Sequence, residues 1–110
     1  MIHINLDDIN HFNFPAGEVH FNLSEHYKNN SGQFAKIYAR LRSSNDIIKL
    51  VMVTDALKEM GCPEIQLVMP YIPYAQQDRI CCDGEPYSIR AFAKLINSLN
   101  FAKVIVYDPH

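Results

Sequence analysis

The sequence predicts an α/β fold, a doubly wound and mostly parallel sheet preceded by an N-terminal hairpin or edge strands. From Ala35 onward, apolar runs rich in β-branched residues alternate with helical patterns in the order strand, helix, strand, helix, strand. Such alternation is typical of parallel strands joined by right-handed crossovers. Before Ala35, two short apolar runs flank the turn-forming stretch Phe14-Pro15-Ala16-Gly17-Glu18, which favours a hairpin or edge strands there.

Five segments are predicted as strands: Ile2–Leu6, Glu18–Leu23, Ala35–Leu41, Glu64–Met69 and Lys103–Asp108. A first helix is predicted over Asp46–Met60, because any residue of Ser43-Ser44-Asn45 can cap it and Gly61 and Pro63 stop it. Its apolar face is formed by Ile47, Leu50, Val51 and Leu57 and is widened by Ile48 and Met52. We therefore expect this helix to be covered by more than the sheet alone.

A second helix is predicted over Ser88–Leu99, with one apolar and one polar face. The predicted inward residues are Ile89, Phe92, Ala93 and Ile96, and the predicted outward residues are Arg90, Lys94 and Asn97. Together with the strands on either side, this helix completes a second crossover in the same sheet.

Length and composition set limits on function. The 110 residues have room for one domain and one core, and the formal net charge of −2 gives no electrostatic reason to expect nucleic acid or an anionic membrane. The apolar run 47–56 is too short to cross a bilayer, and the N-terminus lacks a secretion signal. Cys62, Cys81 and Cys82 are odd in number without CxxC spacing, which favours reduced thiols in a cytoplasmic protein.

The stretch from Pro70 to Arg79 is the most informative part of the chain. Two prolines hold the loop after the fourth predicted strand extended, and amide, acid and guanidinium groups follow in Gln76-Gln77-Asp78-Arg79. Loops that leave the carboxyl ends of parallel strands form the ligand-binding crevice of α/β folds. We therefore expect the ligand to bind at this edge of the sheet.

The last predicted strand ends in Asp108-Pro109-His110, a carboxylate and an imidazole two residues apart. At the carboxyl end of a parallel strand these groups could bind a divalent metal ion or take part in acid–base chemistry. The alternative is a polar tail without a function. Because a complete enzyme seldom ends on its own site, we expect the chain to be the front part of a longer enzyme.

Three blocks of this sequence resemble the N-terminal domain of ribose-phosphate pyrophosphokinase, the synthetase of 5-phosphoribosyl 1-pyrophosphate. Phe14-Pro15-Ala16-Gly17-Glu18 resembles Phe-Ser-Asp-Gly-Glu of that family, and Asn45-Asp46 with Val53-Thr54-Asp55-Ala56-Leu57 resembles the helix after its Thr-Asn-Asp segment. The stretch from Pro70 to Arg79 resembles Pro-Tyr-x-x-Tyr-Ala-Arg-Gln-Asp-Arg, and Tyr107-Asp108-Pro109-His110 is similar to the family's Asp-Leu-His ending. The resemblance runs from about Phe12 to the last residue and implies a type I phosphoribosyltransferase-like domain.

The resemblance also implies an activity. Enzymes of this family move the β,γ-diphosphoryl group of ATP onto the anomeric hydroxyl of ribose 5-phosphate and release AMP, with Mg²⁺ as the cofactor. Phe14 would stack on adenine, and Glu18 would read its amino edge across a subunit boundary of a homo-oligomer. Each of these residues could instead have a structural role that involves no ligand. Phe14, for example, lies beside a proline and could be a hydrophobic plug.

For the phosphates, the resemblance implies Gln77 and Arg79 as direct ligands, because phosphoryl transfer depends on placement and on neutralised charge. His110 would coordinate Mg²⁺ or contact the phosphates, while Gln76 would contribute weakly and Asp108 would support the loop. Alternatively, Arg79 pairs with a neighbouring aspartate on the surface, and Gln77 only satisfies the backbone of its own loop.

Two positions depart from the family pattern. Gln76 stands where the family has an arginine, a change that would weaken ATP binding by on the order of 1.5–3 kcal/mol, and Ala16 stands where the family has an acid. The acidic loop that holds ribose 5-phosphate and the closing Lys/Arg loop do not occur in these 110 residues. We therefore expect the isolated chain to be inactive.

The sequence leaves three functions open. The first is the synthetase, present here as its ATP-side domain. The second is a non-catalytic relative that binds or regulates a synthetase, which Gln76 and Ala16 would favour. The third is a different phosphoribosyltransferase, which is disfavoured because those enzymes have no ATP site of this kind.

Overall fold

The computed structural model describes residues 1–23, 32–74 and 83–108. Within these ranges the chain forms strands, two α-helices and a short 3-10 turn: β1 Ile2–Asn5, the 3-10 turn Leu6–Asp8, β2 Phe12–Asn13, β3 Val19–His20, β4 Ala35–Tyr38, α1 Ser44–Glu59, β5 Ile65–Tyr71, α2 Ser88–Ser98 and β6 Lys103–Asp108. Neither helix has the length and apolar character needed to cross a membrane.

Four strands form one sheet in the order β1-β4-β5-β6, and every neighbouring pair is parallel. The strands β2 and β3 form a separate antiparallel hairpin. The predicted α/β class, with a parallel sheet and both an N-terminal hairpin and an edge strand, is therefore confirmed. The loop at the tip of the hairpin is the predicted turn Phe14-Pro15-Ala16-Gly17-Glu18.

The strands of the hairpin differ from the prediction. The predicted strand Glu18–Leu23 shortens to Val19–His20, and its partner Phe12–Asn13 was not predicted. A strand of two residues is too short to show the alternation by which strands are identified. The predicted strand Ile2–Leu6 ends at Asn5, whose side chain accepts a hydrogen bond from the Asp7 N–H at 3.0 Å and so starts the 3-10 turn.

Both helices cover the same face of the sheet. The registers align Ile4, Ile37, Leu67 and Val104 in one row across the four strands, and the first three are buried in one core with Leu50 of α1 and Phe92 of α2. Two right-handed crossovers made in the same direction along a sheet place their helices on the same side. This face therefore contains the hydrophobic core.

The opposite face of the sheet, here named the open face, carries the alternate residues of each strand. One row consists of His3, Lys36, Gln66 and Lys103, and the next consists of Asn5, Tyr38, Val68 and Ile105. Neither described helix covers this face. It is more polar than the helix face, and its cations Lys36 and Lys103 stand in the same row.

The ends of α1 follow from its sequence. The Ser43 side chain accepts the Asp46 N–H and caps the first turn, as the Ser43-Ser44-Asn45 stretch predicted. Gly61 follows the helix with φ +90°, and the N–H groups of Gly61 and Cys62 donate to the carbonyls of Lys58 and Leu57. This pattern of two hydrogen bonds around a left-handed glycine satisfies the last carbonyls and stops the helix.

The buried face of α1 is rotated from the predicted one. Leu50 and Leu57 are buried as predicted, but the face also contains Val53, Thr54 and Lys49. The Thr54 hydroxyl donates to the Leu50 carbonyl, so its burial leaves no polar group unpaired. In contrast, Ile48 and Met52 are exposed, so no described residue supplies the additional cover that was expected for them.

The helix α2 buries Phe92 and Ile96, as predicted, while Ile89 is half-buried. Ala93 was predicted to face inward but is exposed, together with Val104 of the neighbouring edge strand β6. Because β6 has no partner beyond it among the described strands, its helix-facing side is only partly covered. The Lys58 ammonium donates to the Leu99 carbonyl and links the two helices.

The strand β5 continues past its predicted end at Met69 and includes Pro70 and Tyr71. Proline lacks an N–H and is tolerated in a strand only where no partner needs that donor. The pairing of β5 with β4 ends at Val68, so Pro70 lies beyond this neighbour. The predicted exit loop therefore begins two residues later, after Tyr71.

Candidate functional site

All four strands of the parallel sheet end at one edge, and the loops predicted to bind the ligand start there. Tyr71 at the end of β5 is paired with Asp108 at the end of β6. The ends of these two strands therefore lie side by side at this edge. Gln76, Gln77, Arg79 and His110 lie outside the described residues, as does the side chain of Asp108, so their predicted roles stay predictions.

A cavity of about 400 Å³ lies at this edge, between the start of α1 and the segment that follows β5. It is lined by Leu41, Arg42, Ser43, Ser44, Ile47, Tyr71, Pro73 and Tyr74. The Tyr71 hydroxyl donates to the Leu41 carbonyl at 3.1 Å and holds the two walls together. The segment that continues toward Gln76, Gln77 and Arg79 thus begins at the wall of this cavity.

At the carboxyl edge of the sheet, the positively charged Arg42 is hydrogen-bonded to two acidic residues. Its guanidinium donates to both carboxylate oxygens of Asp7 at 3.2 and 3.1 Å, and its backbone N–H donates to Asp46 at 2.9 Å. Hydrogen bonding to Arg42 lowers the pKa of Asp7, and the same bond raises the pKa of Arg42. The pair connects the end of β1 with the start of α1.

This ion pair predicts a pH dependence of stability. A carboxyl whose pKa is lowered on folding stabilises the fold above its unfolded pKa, and that contribution is lost as pH falls through the folded pKa. We expect the Asp7→Asn variant to lose less stability than the wild type as pH falls below about 4, as measured by urea midpoints. Asp8→Asn, at the exposed neighbouring position, is the control. If the urea midpoint fell equally with pH in the wild type and in both variants, the proposed role of the ion pair would be contradicted.

The hairpin presents Phe14 and Glu18 at the two ends of its turn. The Gly17 N–H donates to the Phe14 carbonyl at 2.7 Å, the Phe14 N–H donates to the Glu18 carbonyl at 2.8 Å, and Gly17 has φ +99°. Pro15 fits the second position of such a turn and glycine the position with positive φ. Both predicted ligand-binding residues are exposed.

The Phe14 ring is supported by two neighbours and open elsewhere. Its centroid lies 5.3 Å from that of Phe12, edge to face, and 5.1 Å from that of His20 at a tilt of 37°. Despite these contacts 43% of Phe14 is exposed. Within the described part of the chain the ring is therefore only partly covered, and its predicted role stays a prediction.

Contacts with α1 anchor the base of the hairpin. The buried ammonium of Lys49 donates to the Ile9 carbonyl, and its burial lowers the pKa of Lys49. The Asn45 amide lies 3.5 Å from the His11 imidazole. Because both α1 residues belong to the first half of the helix, the hairpin is held at the end of α1 that adjoins the carboxyl edge of the sheet.

Sequence reasoning missed Lys49, Asp7 and Arg42. The only signal for Lys49 was a cation within an otherwise apolar run, which more often marks an exposed position. The partners Asp7 and Arg42 are separated by 35 positions in the chain. The structure does not bring the hairpin into the edge cavity, since neither Phe14 nor Glu18 lines it.

A sequence model described as the N-terminal domain of ribose phosphate pyrophosphokinase matches residues 1–99. The chain belongs to this family. The match begins at residue 1, so the ribose-phosphate pyrophosphokinase family relationship includes β1 and the 3-10 turn, which precede the first motif at Phe12.

Relatives within the ribose-phosphate pyrophosphokinase family are similar over nearly the whole chain. The ribose-phosphate pyrophosphokinase of Pyrococcus abyssi is 32% identical over 98% of this chain, and that of Thermococcus kodakarensis is 38% identical over 88% of it. The fold is similar to that of phosphoribosylpyrophosphate synthetase from Mycobacterium smegmatis, with a TM-score of 0.67 over 96% of this chain at 20% identity.

The chain is much shorter than these proteins. It spans 36% of the length of the Pyrococcus relative, 33% of the Thermococcus relative and 41% of the Mycobacterium chain. The family relationship is therefore established for an N-terminal domain.

Proposed function

We propose that this chain is the ATP-side domain of a ribose-phosphate diphosphokinase, which transfers the diphosphoryl group of ATP to ribose 5-phosphate and gives 5-phosphoribosyl 1-pyrophosphate and AMP. The observation that carries the proposal is the exposed Phe14 ring on a hairpin anchored beside the carboxyl edge of the sheet, in a chain of this family. The second domain, with the cradle for ribose 5-phosphate, is not among these residues.

In this proposal Phe14 binds the adenine ring. The supported and partly open ring offers a planar surface to a base, and Glu18 at the other end of the turn has an exposed carboxylate that can accept hydrogen bonds from the adenine amino group. Neither residue lines the edge cavity of its own chain. In this proposal the base is bound between neighbouring subunits of a cytoplasmic homo-oligomer.

The phosphates lie in the proposal at the carboxyl edge, where Gln77 and Arg79 bind them and Gln76 and Asp108 contribute less. Mg²⁺ is proposed to enter as Mg·ATP, with His110 as the protein ligand. The described residues contain no group of three His, Cys, Asp or Glu side chains able to hold a metal ion. Magnesium in phosphoryl-transfer sites is held largely by water and substrate phosphates with only one or two protein ligands, so the proposed mode does not need such a group.

The reaction depends mainly on how the two reacting groups are positioned relative to each other. The anomeric oxygen of ribose 5-phosphate forms a bond to the β-phosphorus of ATP while the bond from that phosphorus to the α-phosphate oxygen breaks, and the hydroxyl proton leaves to solvent. Groups that hold the β- and γ-phosphates in line and neutralise their charge lower the barrier. This chain supplies the ATP side of that alignment.

The proposal predicts that removing the aromatic ring of Phe14 weakens the binding of Mg·ATP. We expect Phe14→Ala to raise the Kd for Mg·ATP by about three- to tenfold, because one aromatic stacking partner is removed. Isothermal titration calorimetry would measure it. Phe34→Ala is the matched control, since Phe34 is similarly exposed but precedes the amino end of β4. Equal affinities for all three proteins would refute the assignment of Phe14.

The second candidate is a non-catalytic relative that binds or regulates a synthetase. The substitutions at Gln76 and Ala16 favour it, because a regulatory protein can lose ATP contacts without penalty. The same titration separates the two functions. Saturable Mg·ATP binding that depends on Phe14 supports the synthetase domain, and absence of binding to a folded chain supports the regulatory role.

A further inference from the structure

A second cavity, of about 330 Å³, lies on the open face at the point where the four parallel strands end. It is named here the open-face pocket, and each strand contributes to it: Asn5 from β1, Tyr38 from β4, Val68 from β5 and Tyr107 from β6. Its volume falls within the range of small-molecule sites. Phe14 and Glu18 are not part of it, so it differs from the described part of the proposed adenine site.

The open-face pocket has the form of a slot one strand wide. Tyr38 is in register with Val68, and Val68 with Ile105. Tyr107 follows Ile105 by two residues and projects from the same face. The Cα atoms of the two tyrosines are thus about 12 Å apart across β5, given the usual spacing of strands and the rise of two residues, while Val68 and Pro70 form a low apolar floor. Such a slot fits a flat ring between two aromatic walls.

One wall of the slot is fixed and the other is free to adjust. The Tyr38 hydroxyl is 3.2 Å from Nδ1 of His3, and the two rings stack with centroids 6.0 Å apart. Tyr107, in contrast, is 72% exposed. A wall held in place before binding reduces the entropy lost on binding, and an exposed ring opposite it can close over a ligand.

The rim of the open-face pocket carries an excess of positive charge. It contains two guanidiniums, Arg40 and Arg42, and one carboxylate, Asp7. Asp7 is bound to Arg42 on both oxygens, whereas Arg40 is exposed and has no ion-pair partner in the part of the chain that the structure describes. An exposed guanidinium without an ion-pair partner can bind a phosphate through two parallel hydrogen bonds.

We propose that the open-face pocket binds a nucleoside monophosphate, with the base between Tyr38 and Tyr107 and the phosphate on Arg40. One uncommitted guanidinium matches one phosphate group, and a longer polyphosphate would bring further negative charge toward Asp7. The pocket faces away from both helices and is independent of the proposed adenine site at Phe14.

The test is a titration of the isotope-labelled chain with AMP, followed by amide chemical shifts. We expect saturable shifts at Asn5, Arg40, Val68 and Tyr107. Arg40→Ala should raise the Kd by about tenfold or more through loss of a charge-assisted contact, and Tyr107→Ala by about threefold or more through loss of stacking. Both residues are exposed, so neither change should unfold the chain.

Arg90→Ala is the matched control, because it removes the same charge from α2, on the opposite face of the sheet. AMP-induced shifts at Asn5, Arg40, Val68 and Tyr107 that are unaffected by Arg90→Ala, but weakened by Arg40→Ala and Tyr107→Ala, support the proposal. Shifts confined to the hairpin and abolished by Phe14→Ala overturn it while leaving the proposed function intact. Inorganic phosphate binding as tightly as AMP, or no binding at millimolar AMP, also overturns it.

Discussion

Purified as these 110 residues, the protein should release no AMP from Mg·ATP when ribose 5-phosphate is added. In the proposed function the chain holds ATP, but the residues that would cradle ribose 5-phosphate and close over the transferring group are not present. Without an aligned acceptor, the large rate advantage of holding two reactants in the attacking geometry is lost, which is worth on the order of 7–11 kcal/mol of barrier. A coupled AMP assay would measure the release.

The full-length ribose-phosphate pyrophosphokinase of Thermococcus kodakarensis serves as the positive control in the same assay. Calorimetry with Mg·ATP on the same preparation shows whether an inactive sample is still able to bind nucleotide, and circular dichroism shows whether it is folded. AMP release that rises with ribose 5-phosphate above the rate without protein would show that the chain contains an acceptor site.

Replacing Leu67 by alanine should remove a large part of the stability of the protein. Leu67 is fully buried at the centre of β5, within the core formed by the sheet and both helices. Removing a buried leucine costs about 3–5 kcal/mol, through lost transfer free energy and the cavity left behind. A domain of this size has a total stability of only about 5–15 kcal/mol, so the loss is a large part of it.

Val104→Ala is the control for Leu67→Ala, because Val104 occupies the same row of the sheet as the register partner of Leu67 but is 42% exposed on the edge strand. We expect this change to cost less than about 1 kcal/mol. Urea unfolding of both variants, with similar m-values, gives the comparison. Similar losses for both variants would mean that β6 is buried against something that the described residues do not include.

Local sequence signals determined the elements and their type. The parallel sheet followed from the alternation of strands and helices, and the ends of α1 followed from Ser43 and Gly61, because capping and left-handed turns depend on residues within a few positions of one another. The family motifs are equally local, which is why the hairpin turn with Phe14 and Glu18 was found from the sequence. The two-residue strand Phe12–Asn13 was not predicted, because so short a segment has no detectable periodicity.

Only the tertiary structure decided which surfaces are covered and which distant groups meet. The burial of Lys49 against the Ile9 carbonyl and the pairing of Asp7 with Arg42 join residues 40 and 35 positions apart, and no local pattern encodes such contacts. The exposure of Ala93, Ile48 and Met52 likewise depends on what packs against each helix, since periodicity gives a face but not its neighbour. The open-face pocket arises for the same reason: four strand ends far apart in the chain converge at one edge of the sheet.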